Sequence, residues 1–549
     1  MQSKIRKILT IILLFAALGF SQEGARYLII THDSLYAAIE PLAQWKHKKG
    51  MKTKIARISE TGSSNTQIRD YIVNAYNTWN PRPEFLLLVG SPALLPSFLR
   101  NYPPPSYETD NEYANMTGDL RAELCYGRFP AKNPFQCSVM VAKTLSFERT
   151  PFLSDSLWLR AGTIIINEDG DPDDTIYWND ARFVVSLMRS AGYIKIDTFS
   201  GARGHTASDV ITAVTEGRSF LLYRGSAYGC WPPPFRFDPG VINNNNKLPV
   251  ICSFTCATMT LAALESMVGD AWIKSGTPGN PKGAVAFVGN TRGVMNVAAI
   301  RSAMTHGFFN SVFRHLTRNL GQAVLDGKTQ IWDEFLDRHE YEAFNLLGDP
   351  ELCLWTAVPK PLEVIYEPTI PLAPQNFVVT VRSDSVPVPN ALVCLMKGTE
   401  IYAYAYSDSL GQVSLSINPL STGTMTVTVT AQNCLPHEGS TQVLPAGIEI
   451  QKPAVIMKTS SRLECQPNPF SNQTIIRYRG ENLKTAGLRI YDCQGQLVKQ
   501  FELSQANKNI VWDGQDEQDK EIKPGVYFAV LEKFEFDSNK QKLRLLKVK

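Results

Sequence analysis

Between Arg26 and about Thr356 the sequence alternates short apolar segments with amphipathic ones, and this alternation limits the fold more than any other feature. Segments such as FLLLVG, AGTIIIN, SFLLYRG and PVICSF are rich in β-branched or large apolar residues and are bounded by turn formers, so they predict buried strands. Between the strands, segments 35–48, 66–79, 178–189 and 207–215 repeat apolar residues at helical spacing. Strands that alternate with helices predict a parallel sheet with helices on both faces.

The pattern changes twice along the chain. A polar stretch at 147–157 divides the α/β region into two predicted subdomains, 24–150 and 151–357. Beyond Pro359, segments such as NFVVTVRSD, ALVCLMKG and TMTVTVTAQN alternate without long helices and predict an all-β sandwich over 360–446. After a second polar stretch, the last module, 460–549, predicts another small sandwich.

The N-terminal segment has the pattern of a secretory signal peptide, which we predict over residues 1–21. Lys4, Arg6 and Lys7 precede an apolar run from Ile8 to Phe20. That run of about 13 residues is shorter than the ~20 of a spanning helix, and we expect no transmembrane segment. A net charge of +3, from 55 basic and 52 acidic residues, creates no field that would favour nucleic acid as a partner.

Two apolar runs, LLYRGSAYGCW and LPVICSFTC, end abruptly at small residues. Neighbouring strands of an open parallel sheet open onto one crevice at their carboxyl ends, and this places Ser226 and Cys256 together there. Cys252 alternates with Cys256 and is expected to point into the core. A thiol nucleophile needs a base, because an unassisted thiol is largely protonated at neutral pH. The candidate base position carries a hydroxyl.

Several motifs, in order, resemble the gingipain family of secreted bacterial cysteine peptidases. They are RYLIITHDSLYAAIEPLAQWKHKKGMKT, IRDYIVNAYNTWNPRPEFLLLVGSPALLP, YETDNEYANMTGD with ELCYGRFP, LLYRGSAYGCW, KLPVICSFTC and AFNLLGDPELCLWT, which together span about residues 26–357. The resemblance implies a caspase-like α/β catalytic region, an immunoglobulin-like sandwich after it, and polypeptide substrates. It implies no cofactor for catalysis.

The last module resembles a sorting domain read by the type IX secretion system. It carries PNPF, IYD, WDGQD and PGVYF in that order. The resemblance implies that the protein passes through the periplasm, meets the type IX machinery and is secreted or displayed on the cell surface. Its immunoglobulin-like fold is an expectation from the same resemblance.

The resemblance also assigns roles to residues of the crevice. Cys256 matches the family nucleophile, and Ser226 stands where the family has its catalytic histidine. Glu123 stands where an acid would orient that histidine, although an ion pair with a nearby arginine explains it equally well. The backbone around Gly225 and Ala227, with that of Cys256, would form an oxyanion pocket.

Two functions follow from this pattern, a cysteine peptidase and a catalytically inactive surface or binding protein. The second arises because serine is no base near neutral pH, and losing one member of a cooperating pair removes several orders of magnitude in rate. Of the seven histidines, His205 and His306 are the candidates to approach the crevice. A solvated loop and a helix-end contact are their simpler interpretations.

Two further features leave alternatives open. The run that contains Asp169, Asp171 and Asp173 is either a structural calcium site, which would fit the family, or a solvated loop. Cys394 and Cys434 either pair or remain separate thiols. The resemblance does not lead us to predict cleavage after Arg or Lys, because relatives with that preference need a buried acid in the first pocket and segment 130–143 offers none.

Overall fold

In the computed structural model, the α/β region is built on one ten-stranded sheet. In spatial order its strands are Lys195–Ser200, Ala161–Asn167, Phe220–Gly225, Val250–Ser253, Ala286–Asn290, Phe344–Leu347, Cys125–Phe129, Phe85–Val89, Tyr27–Thr31 and Thr53–Arg57. The strands predicted from the apolar runs are confirmed. The structure describes residues 22–101, 105–262, 267–445, 462–479, 486–492, 494–503, 509–533 and 541–548, so the predicted signal peptide lies outside the described residues.

The sheet consists of two parallel halves that run in opposite directions. Each half contains five strands, and the halves meet where Ala286–Asn290 pairs antiparallel with Phe344–Leu347. As a result, residues that precede Phe344 lie at the same edge of the sheet as the carboxyl ends of the neighbouring half. A uniformly parallel sheet would place them at the opposite edge.

Helices cover both faces of this sheet. They span Tyr36–Lys48, Ile58–Thr61, Asn65–Thr78, Pro134–Arg149, Asp174–Ser190, Ala207–Glu216, Val268–Lys274, Ala298–Phe313, Leu320–Phe335 and Arg338–Ala343. The four predicted helices are confirmed within a few residues. Leu221 and Ile251 face one apolar core while Leu222 and Cys252 face the other, as strands buried on both sides require. Within the described part of the chain, no helix is long and apolar enough to cross a membrane.

The local sequence explains where one of these helices begins and why another was not predicted. Asn65–Thr78 begins at a capping box in which Ser64 and Gln67 satisfy each other's backbone N–H groups. Ala298–Phe313, by contrast, is buried on most sides, so its sequence lacks the polar stripe that marks an amphipathic helix.

A buried cluster of charges ties the closing motif GDPEL to the first helix. Lys46 lies 2.8 Å from Glu148, 2.5 Å from Asp349 and 2.6 Å from Glu351, and every side chain in the group is almost fully buried. Lys49 adds contacts to Glu148 and Glu351. Burial opposes the charged form of Lys46, but the three carboxylates raise its pKa well above the usual value. The GDPEL motif therefore has a structural role.

Residues 360–445 form two sheets around a separate apolar core. One contains Glu363–Ile365, Gln375–Ser383, Val386–Pro387 and Gln412–Ile417, and the other contains Thr369–Pro371, Leu392–Lys397, Ile401–Tyr406, Gly423–Thr430 and His437–Leu444. Cys394 and Cys434 are both free thiols here.

These sheets contact the first helix of the α/β region. Tyr402 stacks on His47 with ring centroids 4.2 Å apart and donates a hydrogen bond to its carbonyl oxygen. Glu438 accepts hydrogen bonds from Lys48 and Arg149. The α/β region and the two sheets accordingly belong to one compact unit, which extends to residue 447.

Residues 448–549 form a second unit that is rich in β-structure. Its strands are Arg462–Gln466, Thr474–Arg479 and Asn509–Trp512 in one sheet, and Ala486–Tyr491, Leu497–Leu503, Gly525–Lys533 and Gln541–Lys547 in the other. Trp512, Phe470 and Leu545 are buried in its core.

The charge cluster makes a testable contribution to stability. Lys46→Met should lower the free energy of unfolding of the first unit by about 3–5 kcal/mol, because three buried carboxylates lose a shared cation. Lys195→Met is the control, since the exposed Lys195–Glu216 pair contributes ~1 kcal/mol or less. Urea denaturation followed by tryptophan fluorescence measures both. Equal effects of the two substitutions would contradict a structural role for the cluster.

Candidate active site

The crevice opens where the strand Phe220–Gly225 ends. Gly225 has a φ of +146°, and a Cβ there would lie 2.5 Å from the carbonyl oxygen of Asn167 on the neighbouring strand. Only glycine fits this approach without strain. The chain therefore turns away sharply, and Ser226 emerges exposed at the strand tip.

Ser226 and Cys256 line the same cleft, which is partly open to solvent. The predicted meeting of these two strand ends is thus present in the structure. Cys256 is half-buried and lies three residues beyond Val250–Ser253. Cys252 is completely buried, as predicted, and burial raises the pKa of its thiol well above the usual value.

The sulfur of Cys256 has hydrogen-bond partners on two sides. Its Sγ lies 2.9 Å from Nη1 of Arg301, which donates to it, and 3.3 Å from the carbonyl oxygen of Val294, which accepts from the thiol. A guanidinium therefore approaches the sulfur at the distance where a dyad would place an imidazole.

Arg301 is held by a buried acid. Its Nε donates to Glu340 at 2.9 Å, and its Nη2 donates to Glu340 and to the carbonyl oxygen of Arg292, both at 3.3 Å. Burial opposes the charge on Arg301, but Glu340 and then Cys256 stabilise it, so its pKa is raised above the ordinary value. The guanidinium keeps its positive charge at every pH of biological interest.

Sequence reasoning missed Arg301 and Glu340. Arg301 is a lone charged residue in the first turn of a mostly apolar helix, and that isolation is the signal that could have identified it. Glu340 precedes the strand Phe344–Leu347 and reaches Arg301 because this strand runs against its neighbour. No local sequence pattern encodes that reversal.

None of the seven histidines, all of which lie in the described part of the chain, lines the cleft. The imidazole of His306 lies 3.2 Å from Asp180 and packs on Phe183. His205 contacts the backbone of Ser200. His205 is thus a loop histidine, whereas His306 lies inside the helix Ala298–Phe313 and not at a helix end.

Glu123 does not line the cleft. Its carboxylate accepts hydrogen bonds from the backbone N–H groups of Met116 and Thr117 and from the hydroxyl of Thr117. Glu123 precedes the strand Cys125–Phe129 and so lies at the edge of the sheet where Val250–Ser253 ends. The two strands are, however, three places apart in the sheet. In this chain Glu123 stabilises a loop.

Of the residues expected to frame an oxyanion pocket, Gly225 and Cys256 line the cleft, whereas the side chain of Ala227 is buried in the apolar core. The oxyanion pocket stays a prediction. Trp231 is also buried, where it stacks on Tyr223 at 4.7 Å and donates to the hydroxyl of Ser253. Its ring packs against the two neighbouring strands that end at the cleft.

Asp169, Asp171 and Asp173 line one side of the cleft. Burial and then mutual repulsion raise the pKa values of Asp169 and Asp173. Carboxylate oxygens of Asp169, Asp171 and Asp174 lie within 4.8 Å of one another, so Asp174 takes the place that sequence reasoning gave to Asp173.

The three carboxylates form a donor set that fits a hard cation such as calcium. Part of their capacity is already used, because Asp174 accepts the backbone N–H groups of Asp169 and Gly170, and Asp171 accepts that of Asp173. These hydrogen bonds hold the carboxylates close together in an exposed loop.

Two regions of the chain are similar to known protein families. Residues 20–355 match the model of peptidase family C25, and residues 465–543 match the secretion system C-terminal sorting domain. Such a tail, of the type IX kind, marks a secreted or cell-surface protein, which confirms the predicted localisation.

Among curated relatives, Gingipain R2 of Porphyromonas gingivalis is 22% identical over 371 residues, which are 65% of this chain and 50% of that protein. Lys-gingipain HG66 of the same species is 20% identical over 447 residues, 75% of this chain and 25% of that protein. The chain therefore spans half the length, or less, of these relatives.

The solved structure of the Arg-specific cysteine proteinase gingipain R superposes with a TM-score of 0.70 at 19% identity, over 78% of this chain and 99% of that one. This likeness shows that the fold is that of a gingipain catalytic domain. The family model covers more than half of the sequence, and the chain belongs to peptidase family C25.

Proposed function

We propose that the chain is a secreted gingipain-like cysteine peptidase in which Cys256 attacks polypeptide carbonyls, but which turns amide substrates over slowly. The observation that supports this proposal is the placement of the Cys256 sulfur in an open cleft at the strand tips, 2.9 Å from a buried guanidinium. A thiolate is the nucleophilic form of cysteine, and a neighbouring cation favours it.

The reaction would proceed through an acyl-enzyme. The sulfur of Cys256 forms a bond to the peptide carbonyl carbon, and the carbonyl oxygen takes up negative charge. The C–N bond then breaks, and the departing amine must gain a proton. A dyad histidine supplies that proton after having accepted it from the thiol. Ser226 cannot carry it, and Arg301 does not give up its own, so the proton comes from solvent.

This missing carrier limits the rate. General acid–base catalysis typically contributes a factor of 10²–10⁴. We therefore infer that attack of the sulfur on a carbonyl is supported in this site, whereas expulsion of an amine is not. Water must also hydrolyse the thioester without a base to activate it.

A catalytically inactive binding protein is the second candidate, and one observation favours it. All seven histidines lie elsewhere, so the described residues offer no imidazole to the sulfur. Under this candidate the cleft would hold extended polypeptide without cleaving it, and the sorting domain would display that binding site at the cell surface. The two sheets of residues 360–445 would serve as an immunoglobulin-like support.

Restoring an imidazole discriminates between the candidates. Ser226→His should raise peptide hydrolysis by at least about tenfold, a fraction of the general acid–base contribution, because a proton carrier then faces the sulfur. Hydrolysis of a fluorogenic peptide library measures the effect. Ser226→Ala is the matched control and should leave the rate unchanged.

The gain must depend on the thiol, so Ser226→His combined with Cys256→Ala should return to background. If Ser226→His alone stays at the background of Cys256→Ala, the cleft does not hold a peptide carbonyl near the sulfur. That outcome would contradict the peptidase proposal and favour the catalytically inactive binding protein.

We also propose that Asp169, Asp171 and Asp174 hold a structural calcium ion. Saturating calcium should raise the thermal midpoint of unfolding, because an ion that binds only the folded state stabilises it. Asp171→Asn keeps one side-chain oxygen but removes a negative charge that attracts the ion, so it should strongly reduce the rise, whereas magnesium at equal concentration serves as the control for ionic strength. An equal rise in Asp171→Asn would contradict the site.

A further inference from the structure

The guanidinium of Arg301 is aimed at the Cys256 sulfur by groups that leave it little freedom. Its Nε and Nη2 are engaged by Glu340 and by the carbonyl oxygen of Arg292, and its remaining nitrogen, Nη1, donates to the sulfur. Arg301 and Glu340 are both buried. A fork held on one side by a carboxylate presents its other N–H groups in a fixed direction.

The other cation of the cleft is engaged elsewhere. Arg224 is paired with the buried Asp180 at 2.7 Å, and its other nitrogens donate to the carbonyl oxygens of Phe254 and Ala298. These hydrogen bonds connect the end of the strand Phe220–Gly225 to the loop before Cys256 and to the first turn of the helix that carries Arg301. Within the described residues, Arg301 is the cation whose hydrogen bond ends on the sulfur.

The negative groups that face the cleft are Asp169, Asp171 and Asp173, all on the loop after Ala161–Asn167, with the phenol of Tyr177 beside them. In the absence of a bound cation, these carboxylates oppose a negative charge on sulfur. The carbonyl oxygen of Val294 accepts from the neutral thiol at 3.3 Å, so ionisation also gives up that hydrogen bond. A thiolate in this cleft therefore requires a compensating cation in direct contact.

We propose that Arg301 is the positioning residue that holds Cys256 as a thiolate in this chain, in place of an imidazole. The inference rests on the proposed nucleophilic role of Cys256. Ionisation transfers the thiol proton to solvent water and leaves a sulfur anion paired with the guanidinium. Arg301 neither gains nor loses a proton, so it can stabilise the nucleophile but cannot protonate a leaving amine.

Alkylation of the full-length protein tests this role without any peptide substrate. Iodoacetamide reacts with the thiolate, forming an S–C bond and releasing iodide. Arg301→Gln should lower the alkylation rate at Cys256 at pH 7 by about tenfold or more, the scale of a lost hydrogen bond to a charged group. The rise of the rate with pH should also move to higher pH. Arg301→Lys keeps the charge and should retain most of the rate.

Peptide mapping assigns the label, and Cys230, a half-buried free thiol on the neighbouring loop, is the internal reference that should react equally in all variants. Arg301→Gln leaves Glu340 without its main partner, so Arg301→Gln combined with Glu340→Gln, which removes both charges, is tested beside it. Circular dichroism confirms folding.

Two results would overturn the proposal. One is a rate and pH profile at Cys256 that stay the same, or become faster, in both glutamine variants. The other is a wild-type Cys256 that reacts no faster than Cys230 at pH 7. Because the assay needs no proteolysis, failure of the Ser226→His experiment would leave its result intact, and the two proposals fail separately.

Discussion

The buried pair of Arg301 and Glu340 connects the architecture of the sheet to the chemistry of the cleft. Glu340 lies behind the cleft because the two halves of the sheet meet antiparallel, and it holds Arg301 so that one guanidinium nitrogen donates to the Cys256 sulfur. A buried guanidinium without a carboxylate would be costly, and a carboxylate without the guanidinium equally so. Because the fold requires both members of the pair, it also fixes the guanidinium beside the sulfur.

Parts of this arrangement follow from the sequence and parts do not. The apolar runs that end at Ser226 and Cys256 predict two neighbouring buried strands, and the helical spacing of 35–48 or 207–215 predicts layers on the sheet. Those signals are local. Arg301 lies in a helix without a polar stripe, and Glu340 depends on a strand reversal set by pairing between distant segments. The acidic run at 169–174 predicts a calcium site or a solvated loop, but no local pattern places its carboxylates beside the cleft.

The site separates two tasks that a cysteine–histidine dyad combines. A histidine first stabilises the thiolate as a cation and then protonates the leaving group. Arg301 can stabilise the thiolate through its permanent charge. For the same reason it cannot protonate the leaving group. Family membership in peptidase C25 and the gingipain catalytic fold thus coexist with a cleft whose proton chemistry differs from that of a dyad.

Comparison of ester and amide cleavage tests this separation most directly. A nitrophenyl ester expels a phenolate that needs no proton, whereas the amide with the same acyl group expels an amine that does. The account predicts ester cleavage that disappears in Cys256→Ala, together with amide cleavage slower by a factor of about 10²–10⁴, the share of general acid–base catalysis. Amide cleavage that depends on Cys256 and matches the ester rate would contradict it, since such cleavage requires a proton carrier beside the sulfur.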